Sequence, residues 1–239
     1  MALWSGEIPR KTTLRIFAEK RKHVPPRDAP NYALTTMRSP ELLDPLYLRD
    51  DHISLKPLTH EHASELALLT ANGNIWRNAY AIVPHHEHVS AYIKSAMVAQ
   101  ATGAAVPFVI CDNSGKLIGS TRYQWISLKH RRLQIGSSWL ASSARGTGIN
   151  ARCKRLMLAH AFEELLVQRV EFVTHAENAV ARSALLRMGI TFEGILRKYL
   201  RMNGSSWDAA IYSVIRSEWD EVRGKLDQLC MVAPARLTD

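Results

Sequence analysis

The apolar residues of this 239-residue chain switch repeatedly between strand spacing and helix spacing from Ile53 onward. Residues 53–58 alternate apolar and polar side chains, as a half-buried strand does. Two helical segments follow: one begins at the N-cap Thr59 and ends at Asn72-Gly73, and the other covers 86–100. This mixture of periodicities predicts an α/β fold in which helices pack against a sheet.

The rest of the chain continues this alternation. Six more strands are predicted over 107–112, 117–125, 132–140, 169–174, 192–200 and 209–215, and two more helices over 149–167 and 178–188. The predicted order is therefore β-α-α-β-β-β-α-β-α-β-β, which gives a sheet of about seven strands. Residues 217–229 follow as an amphipathic helix that packs on the domain or on a partner subunit.

The first 48 residues differ from the rest in composition. Residues 1–40 hold eight Lys/Arg against three Asp/Glu, so they carry +5 of the net +9, and prolines interrupt them. We predict a basic, mostly irregular extension over 1–48, one domain over 49–230 and a tail over 231–239. The extension is a solvated tail or an arm that contacts RNA or the ribosome. Only +4 remains on the other 199 residues, so we expect no nucleic-acid partner for the domain.

Several classes of protein are excluded by what the sequence lacks. No apolar run approaches the ~20 residues that span a bilayer, and no secretory signal is apparent, so we expect a cytoplasmic protein with no membrane partner. Cys111, Cys153 and Cys230 form no CxxC pair, which argues against a disulfide framework. The histidine cluster at 85–88 lacks the HExxH spacing because Ser90 holds the second position, so no metal is expected.

The loop from Arg145 to Asn150 precedes the long helix and could bind phosphate. Gly146 and Gly148 let the backbone approach oxygen atoms, and a helix N-terminus offers unpaired N–H groups and a positive dipole. A plain structural cap explains the two glycines equally well. The dinucleotide-binding pattern GxGxxA also matches, but the segment 141–144 intervenes between the preceding strand and this loop, and a hairpin ends the domain.

The loop and several other segments together resemble the GNAT superfamily of N-acetyltransferases. Arg-x-x-Gly-x-Asn resembles its acyl-coenzyme A signature, from which Asn150 is the one departure. The segments 119–122, 135–140, 160–163 and 193–197, together with Asn178 and Arg182, resemble the branch that acetylates the N-termini of ribosomal proteins. The resemblance covers about 53–229. It implies the GNAT fold, a mixed, mostly antiparallel sheet with helices on both faces and a splay between the fourth and fifth strands.

The resemblance also implies acetyl-coenzyme A as cosubstrate, held in that splay. Backbone groups near Trp139 and Leu140 would pair with its pantetheine amides, and Asn178 and Arg182 would contact it from the opposite side. The pyrophosphate would lie on the loop, whose residues are Arg145, Gly146, Thr147, Gly148, Ile149 and Asn150. As an alternative, Asn178 is simply a helix cap.

Proton transfer is where the sequence departs from the family. Leu185 and Ala181 stand where the family often has the Tyr or Ser that protonates the thiolate, and Gln134 stands where a carboxylate is common. The remaining candidate catalytic residues are His175, Glu177 and Ser183, with His175 the preferred base. An exposed histidine at a strand end, with water relaying the proton, is the competing interpretation.

Four residues could form the walls of the amine site: Trp76, Tyr80, Arg122 and Tyr123. Ordinary packing explains Tyr123 as well. The sequence thus predicts an N-acetyltransferase that moves an acetyl group directly to a primary amine, on a protein N-terminus or a small molecule. A non-catalytic acyl-coenzyme A binding or sensing protein is the alternative. By analogy alone, the resemblance also suggests a homodimer.

Overall fold

The computed structural model describes residues 46–72, 75, 80, 83–202 and 204–231. Its strands form one sheet in the order β1-β2-β3-β4-β5-β6-β8-β7. Their bounds are β1 Leu48–Arg49, β2 Ile53–Pro57, β3 Ala105–Asp112, β4 Leu117–Ser127, β5 Arg132–Leu140, β6 Arg169–His175, β7 Thr191–Met202 and β8 Ser205–Ile215. Neighbouring strands are antiparallel except β5 and β6, which run parallel.

The sheet confirms the predicted fold class and adds one short strand. Leu48 and Arg49 pair with Leu55 and Ser54 of β2, although Leu48 falls in the segment that we predicted to be irregular. A two-residue strand is too short to show an alternating pattern, so the sequence could not reveal it. Residues 1–45 of the predicted extension and 232–239 of the predicted tail lie outside the described residues.

Five α-helices accompany the described strands: α1 Ala63–Ala71, α2 Val89–Ala101, α3 Ile149–Ala159, α4 Ala179–Arg187 and α5 Trp219–Met231. Helix α3 ends earlier than predicted. It continues as a π-helical turn over His160–Glu164 and does not reach Val167, which is buried in the core beyond it. None of the helices in the described ranges is long and apolar enough to cross a membrane.

The helices cover both faces of the sheet, and strand alternation explains how. Along β3, Phe108 and Ile110 join the apolar cluster that contains α3 and α5, whereas Val109 and Cys111 join the cluster that contains α1 and α2. Successive side chains of a strand point to opposite faces, so a strand buried on both faces is apolar throughout. This is why β3 shows an apolar run instead of a clear alternation.

Helix α5 packs on this domain and not only on a hypothetical partner. Leu226 is fully buried, and the Trp219 indole stacks on Phe162 with ring centroids 5.6 Å apart. The Trp219 Nε1–H donates to the Glu163 carboxylate at 2.8 Å. The last turn of α5 places Leu229 in the lining of the cleft described below.

We expect Leu226→Ala to lower the free energy of unfolding by about 2–5 kcal/mol, since it leaves a cavity under α5. Leu186→Ala is the matched control: Leu186 is 55% exposed, so its truncation should change stability by no more than about 0.5 kcal/mol. Urea titrations followed by circular dichroism measure both. Equal losses in the two variants would contradict the docking of α5.

Candidate active site

The parallel strands β5 and β6 pair over only three residues before they separate. Their register joins Arg132, Leu133 and Gln134 to residues 169–171, and no pairing of described residues continues beyond Gln134. On its other edge β5 shifts register against β4, and Ser137 has a left-handed φ of 48° there. Such a shift with an extra residue is a β-bulge, which bends the strand. The two strands therefore splay apart where β5 approaches its C-terminal end.

The splay opens into a cleft of about 750 Å³. One wall is formed by the end of β5, the loop that follows it and the start of α3, and the facing wall is formed by α4. Of the predicted cofactor-binding residues, the cleft brings together Trp139, Leu140, Arg145, Gly146, Thr147, Gly148, Asn150 and Asn178. Ile149 and Arg182 are not part of its lining.

The glycine loop has the conformation that an anion site needs. Gly146 and Gly148 have φ of 76° and 83°, and Gly148 is the N-cap of α3. A Cβ at Gly146 would meet nothing within 4 Å, so this side of the backbone is open. The Arg145 Nε–H donates to the Leu140 carbonyl at 3.2 Å, and the Thr147 hydroxyl donates to the Ala144 carbonyl at 2.7 Å. The loop is thus held in place while the first N–H groups of α3 remain at its open end.

The facing wall begins with a capped helix. The Asn178 side-chain oxygen accepts from the Ala181 N–H at 3.1 Å, as an N-cap does. Arg182 turns away from the cleft: its guanidinium donates to the Tyr212 hydroxyl at 3.1 Å and to the Ala176 carbonyl at 2.8 Å. These bonds give Arg182 a bracing role between α4 and the sheet.

His175 lies at the end of β6 and is 5% exposed, not a solvent-exposed strand end. Its Nδ1 accepts the Glu177 N–H at 3.0 Å, so the neutral ring carries its proton on Nε2. That Nε2 is buried without a hydrogen-bond partner among the described residues. The ring lies against Tyr80 and Trp207, with centroid distances of 4.8 and 4.1 Å. The ring therefore has no free lone pair, and its buried Nε2–H belongs to a residue outside the lining of the cleft.

The other predicted catalytic and acceptor residues divide between cleft, surface and core. Glu177 and Tyr80 line the cleft, whereas Ser183 is exposed on α4 outside the lining. The Arg122 guanidinium lies 5.1 Å from the Tyr92 ring centroid, and its Nε is buried with no hydrogen-bond partner among the residues that the structure describes. Trp76 lies outside the described residues.

Tyr123, predicted as an acceptor-site wall, is a core residue. It is fully buried, its hydroxyl donates to the Met157 carbonyl at 2.6 Å, and burial raises its pKa well above the ordinary value. His160 lies 3.2 Å from the same hydroxyl, and burial lowers its pKa from 6.5 to about 4. Both rings are therefore neutral packing elements.

The three positions where the family often has a proton-transfer residue carry apolar or amide side chains here. Leu185 is buried in the core and Ala181 lines the cleft without a polar atom in its side chain. Gln134 is buried and accepts from the Gln124 amide. None of the three side chains can donate a proton to a thiolate as a Tyr or Ser would.

The cleft also contains residues that the sequence interpretation missed: Ser138, Cys153, Lys154, Arg187 and Leu229. Lys154 could have been found, because it lies one helical turn after Asn150 and must share its face of α3. Leu229 could not, because only the docking of α5 brings it to the loop, where its carbonyl oxygen would lie 3.6 Å from a Cβ at Gly148.

The sheet is mixed and its parallel pair splays apart, and a glycine loop begins a helix beside this splay. These features define the class of acyl-coenzyme A binding folds that the sequence resemblance implied. The family model described as "Acetyltransferase (GNAT) domain" matches residues 52–191. This chain belongs to that family.

Two relatives from Bacillus subtilis carry N-acetyltransferase names. "Uncharacterized N-acetyltransferase YoaA" is 30% identical over 101 residues, which are 42% of this chain and 56% of the relative. "Putative ribosomal N-acetyltransferase YdaF" is 32% identical over 106 residues, 44% of this chain and 57% of the relative. The matches thus span a little over half the length of these relatives.

The fold also matches solved structures. One is the microcin C7 self-immunity acetyltransferase MccE, crystallised in complex with acetyl-CoA and AMP. It superposes with a TM-score of 0.62 at 25% sequence identity, over 70% of this chain and 93% of that chain.

We expect Asn178→Ala to lower the free energy of unfolding by about 1 kcal/mol, because it removes the cap of α4. Asn178→Ser keeps a capping oxygen and should retain most of that stability. Measuring both stability and coenzyme A affinity separates the two roles proposed for Asn178. Weaker affinity in the stable Ser variant would indicate a cofactor contact, and an Asn178→Ala variant as stable as the unchanged protein would contradict the cap.

Proposed function

We propose that this protein transfers the acetyl group of acetyl-coenzyme A to a primary amine by direct attack within a ternary complex. The observation that carries the proposal is the cleft at the splay of β5 and β6, which joins a phosphate-type loop to unpaired strand edges. Family membership and the names of the relatives support acetyl transfer.

The cofactor-binding residues of the proposal follow from this geometry. The pyrophosphate lies on the N–H groups between Gly146 and Asn150, where the dipole of α3 favours negative charge. The pantetheine amides pair with the backbone of Trp139 and Leu140, which has no partner strand on the β6 side among the described residues. The complex of MccE with acetyl-CoA supports the choice of cofactor.

Direct transfer is favoured over a covalent acyl-enzyme. The only cysteine in the lining of the described cleft is Cys153, which is 1% exposed. Burial raises the pKa of its thiol to about 12, so at neutral pH it holds its proton and is a poor nucleophile. The amine must therefore attack the thioester carbonyl itself, and the cleft contributes by aligning the two reactants.

The attacking amine must lose a proton, and Glu177 is the group we assign to accept it. Glu177 is an exposed residue of the cleft lining, and its backbone N–H is fixed by the bond to His175 Nδ1. In the tautomer that this bond requires, the His175 ring has no free lone pair with which to accept that proton, and its Nε2–H is buried beside Tyr80 and Trp207. The predicted base role thus passes from His175 to its neighbour, and Ser183 takes no part in this assignment.

The acceptor we propose is the N-terminus of a protein or a small amine. Tyr80, His175 and Trp207 form an aromatic cluster next to the cleft, where a flat peptide group can pack. The name of YdaF as a ribosomal N-acetyltransferase supports a protein acceptor. Arg122 and Trp76 stay candidate acceptor contacts, and a homodimer stays a prediction by analogy.

Gly148→Asp should weaken acetyl-coenzyme A binding at least about tenfold, because like charges placed together cost several kcal/mol. Calorimetric titration measures the affinity, with NAD as the comparison ligand. Gly148→Asn adds a neutral side chain of the same size, which tolerates a left-handed backbone, and should bind much better than the Asp variant. Gly115→Asp is the remote control, since Gly115 has a φ of 87° and open space around it.

Two results would overturn this assignment. The first is the absence of acetyl-coenzyme A binding by the unchanged protein. The second is binding without thiol release in the presence of peptide and small-molecule amines, which would leave a non-catalytic acyl-coenzyme A binding protein.

Glu177→Gln should lower kcat by about 10²–10⁴, the usual contribution of a general base, with little change in the KM for acetyl-coenzyme A. Glu61→Gln is the matched control, because Glu61 is exposed on the short turn before α1. Steady-state assays of thiol release measure kcat and KM for both variants. An unchanged kcat would mean that water takes the proton of the amine without Glu177.

A further inference from the structure

Lys154 is a buried ammonium in the wall of the cleft. It is 4% exposed, and its Nζ donates to the Ser138 hydroxyl at 2.7 Å. No carboxylate in the described part of the chain pairs with it. Burying an unpaired ammonium is costly, and a hydrophobic residue of the same length would pack here at no such cost. A bound ligand can offset the cost of this charge, for which no described residue supplies a carboxylate.

Ser138 connects this ammonium to the splay. It follows the bulged residue Ser137 on β5, beyond the last pair between β5 and β6. Its hydroxyl accepts from Lys154, lies 2.7 Å from the Thr121 hydroxyl and donates to the Gly136 carbonyl at 3.4 Å. The bond to Gly136 is long, so the hydroxyl can exchange it for a group in the splay. Lys154 and Ser138 both line the cleft. A proton can thus pass from the ammonium to the hydroxyl and from there into the splay.

Apart from Tyr80, whose ring packs against His175 and Trp207 in the cluster assigned to the acceptor, the described lining of the cleft holds no other proton donor for a leaving thiolate. The side chains at Ala181 and Leu185 carry no hydroxyl, and Leu185 is buried in the core. The other ionisable side chains in the described lining are Tyr80, Arg145, Cys153, Glu177 and Arg187. Arginines do not release protons, and Cys153 neighbours Lys154 with a pKa of about 12. Glu177 lies on the facing wall and is assigned to the amine.

We propose that Ser138 and Lys154 form the proton donor to the thiolate of coenzyme A; this inference rests on the proposed acetyl transfer. When the C–S bond of the tetrahedral adduct breaks, its electron pair stays on sulfur. Ser138 gives its hydroxyl proton to that sulfur and takes a proton from the Lys154 ammonium. Lys154 becomes a neutral amine and regains its proton from solvent, while the proton of the attacking amine leaves through Glu177.

The acidity of Lys154 suits this role. Burial lowers its pKa from 10.5 to about 8, and the neighbouring Cys153 thiol opposes the shift. An ordinary thiol has a pKa of about 8.5, so donor and acceptor are nearly matched. At pH 7 Lys154 is mostly charged and able to donate, and it loses the proton as the pH rises through about 8. Activity should therefore fall on the basic side of that value.

The decisive test measures the thiol of bound coenzyme A by the ultraviolet absorbance of its thiolate as a function of pH. A nearby ammonium favours the thiolate, so the thiol pKa should be lower in the unchanged protein than in Lys154→Met by about one unit or more. Lys154→Met should also lower kcat by about 10² or more without raising the KM for acetyl-coenzyme A. Removing a buried charge should leave the free energy of unfolding undiminished.

Two further variants separate charge from proton transfer. Lys154→Arg keeps a cation that does not release its proton, so it should retain a lowered thiol pKa but not the turnover. Ser138→Ala should lower kcat as Lys154→Met does. Lys94→Met is the matched control, because Lys94 is exposed on α2. This variant should change neither the thiol pKa of bound coenzyme A nor kcat.

The outcomes distinguish this inference from the function on which it rests. Failure of the unchanged protein to bind coenzyme A would overturn both. If coenzyme A binds and its thiol has the same pKa in the unchanged protein and in Lys154→Met, the proposed proton-donor role would be overturned and the proposed function would stand. An increased KM for acetyl-coenzyme A with an unchanged kcat would also overturn it, because Lys154 would then be a binding cation.

Discussion

The separation of β5 from β6 is the constraint on which the rest of this molecule depends. The interior of a sheet normally pairs its backbone N–H and C=O groups, and leaving them unpaired is costly. Here the pairing stops after Gln134, in the middle of the sheet and not at an edge. The amides of a pantetheine arm are the same chemical groups as those of a strand. A ligand of the proposed kind would replace the missing pairs and so offset their cost.

The bulge in β5 has a second consequence, because it sets the direction of the side chains at the gap. Ser137 takes a left-handed backbone, and its hydroxyl donates to Gln124 on β4. The next residue, Ser138, points to α3 and meets Lys154. One irregular residue thus turns a hydroxyl toward the buried ammonium. In the proposed reaction, the same bulge that opens the cleft also places the proton donor.

Much of the fold could be predicted because its signals are local. Strand β5 has the predicted bounds, and the start of α4 has the predicted cap. The two failures have different causes: β1 is too short for any periodicity, and the π-helical turn ends α3 where the apolar pattern continues to Val167. Apolar spacing reports burial, and residues beyond a helix end can be buried too.

The candidate site was only partly predictable. Some of its parts are formed by neighbouring residues in the sequence, and others depend on contacts between residues that are far apart in it. The glycine loop is contiguous, and its geometry depends on a helix start that follows it directly. Proton transfer instead depends on contacts between distant elements, such as Ser138 with Lys154 and Glu177 with His175. No single segment encodes whether His175 presents a lone pair or an N–H group; the Glu177 N–H decides it. Residue type alone favoured the histidine as the base, whereas the bond from the Glu177 N–H occupies its lone pair, and our proposal therefore assigns the base role to the adjacent carboxylate. In the proposed reaction, opposite walls of one cleft therefore hold the proton acceptor for the amine and the proton donor for the thiolate, so the two proton transfers take place at separate groups.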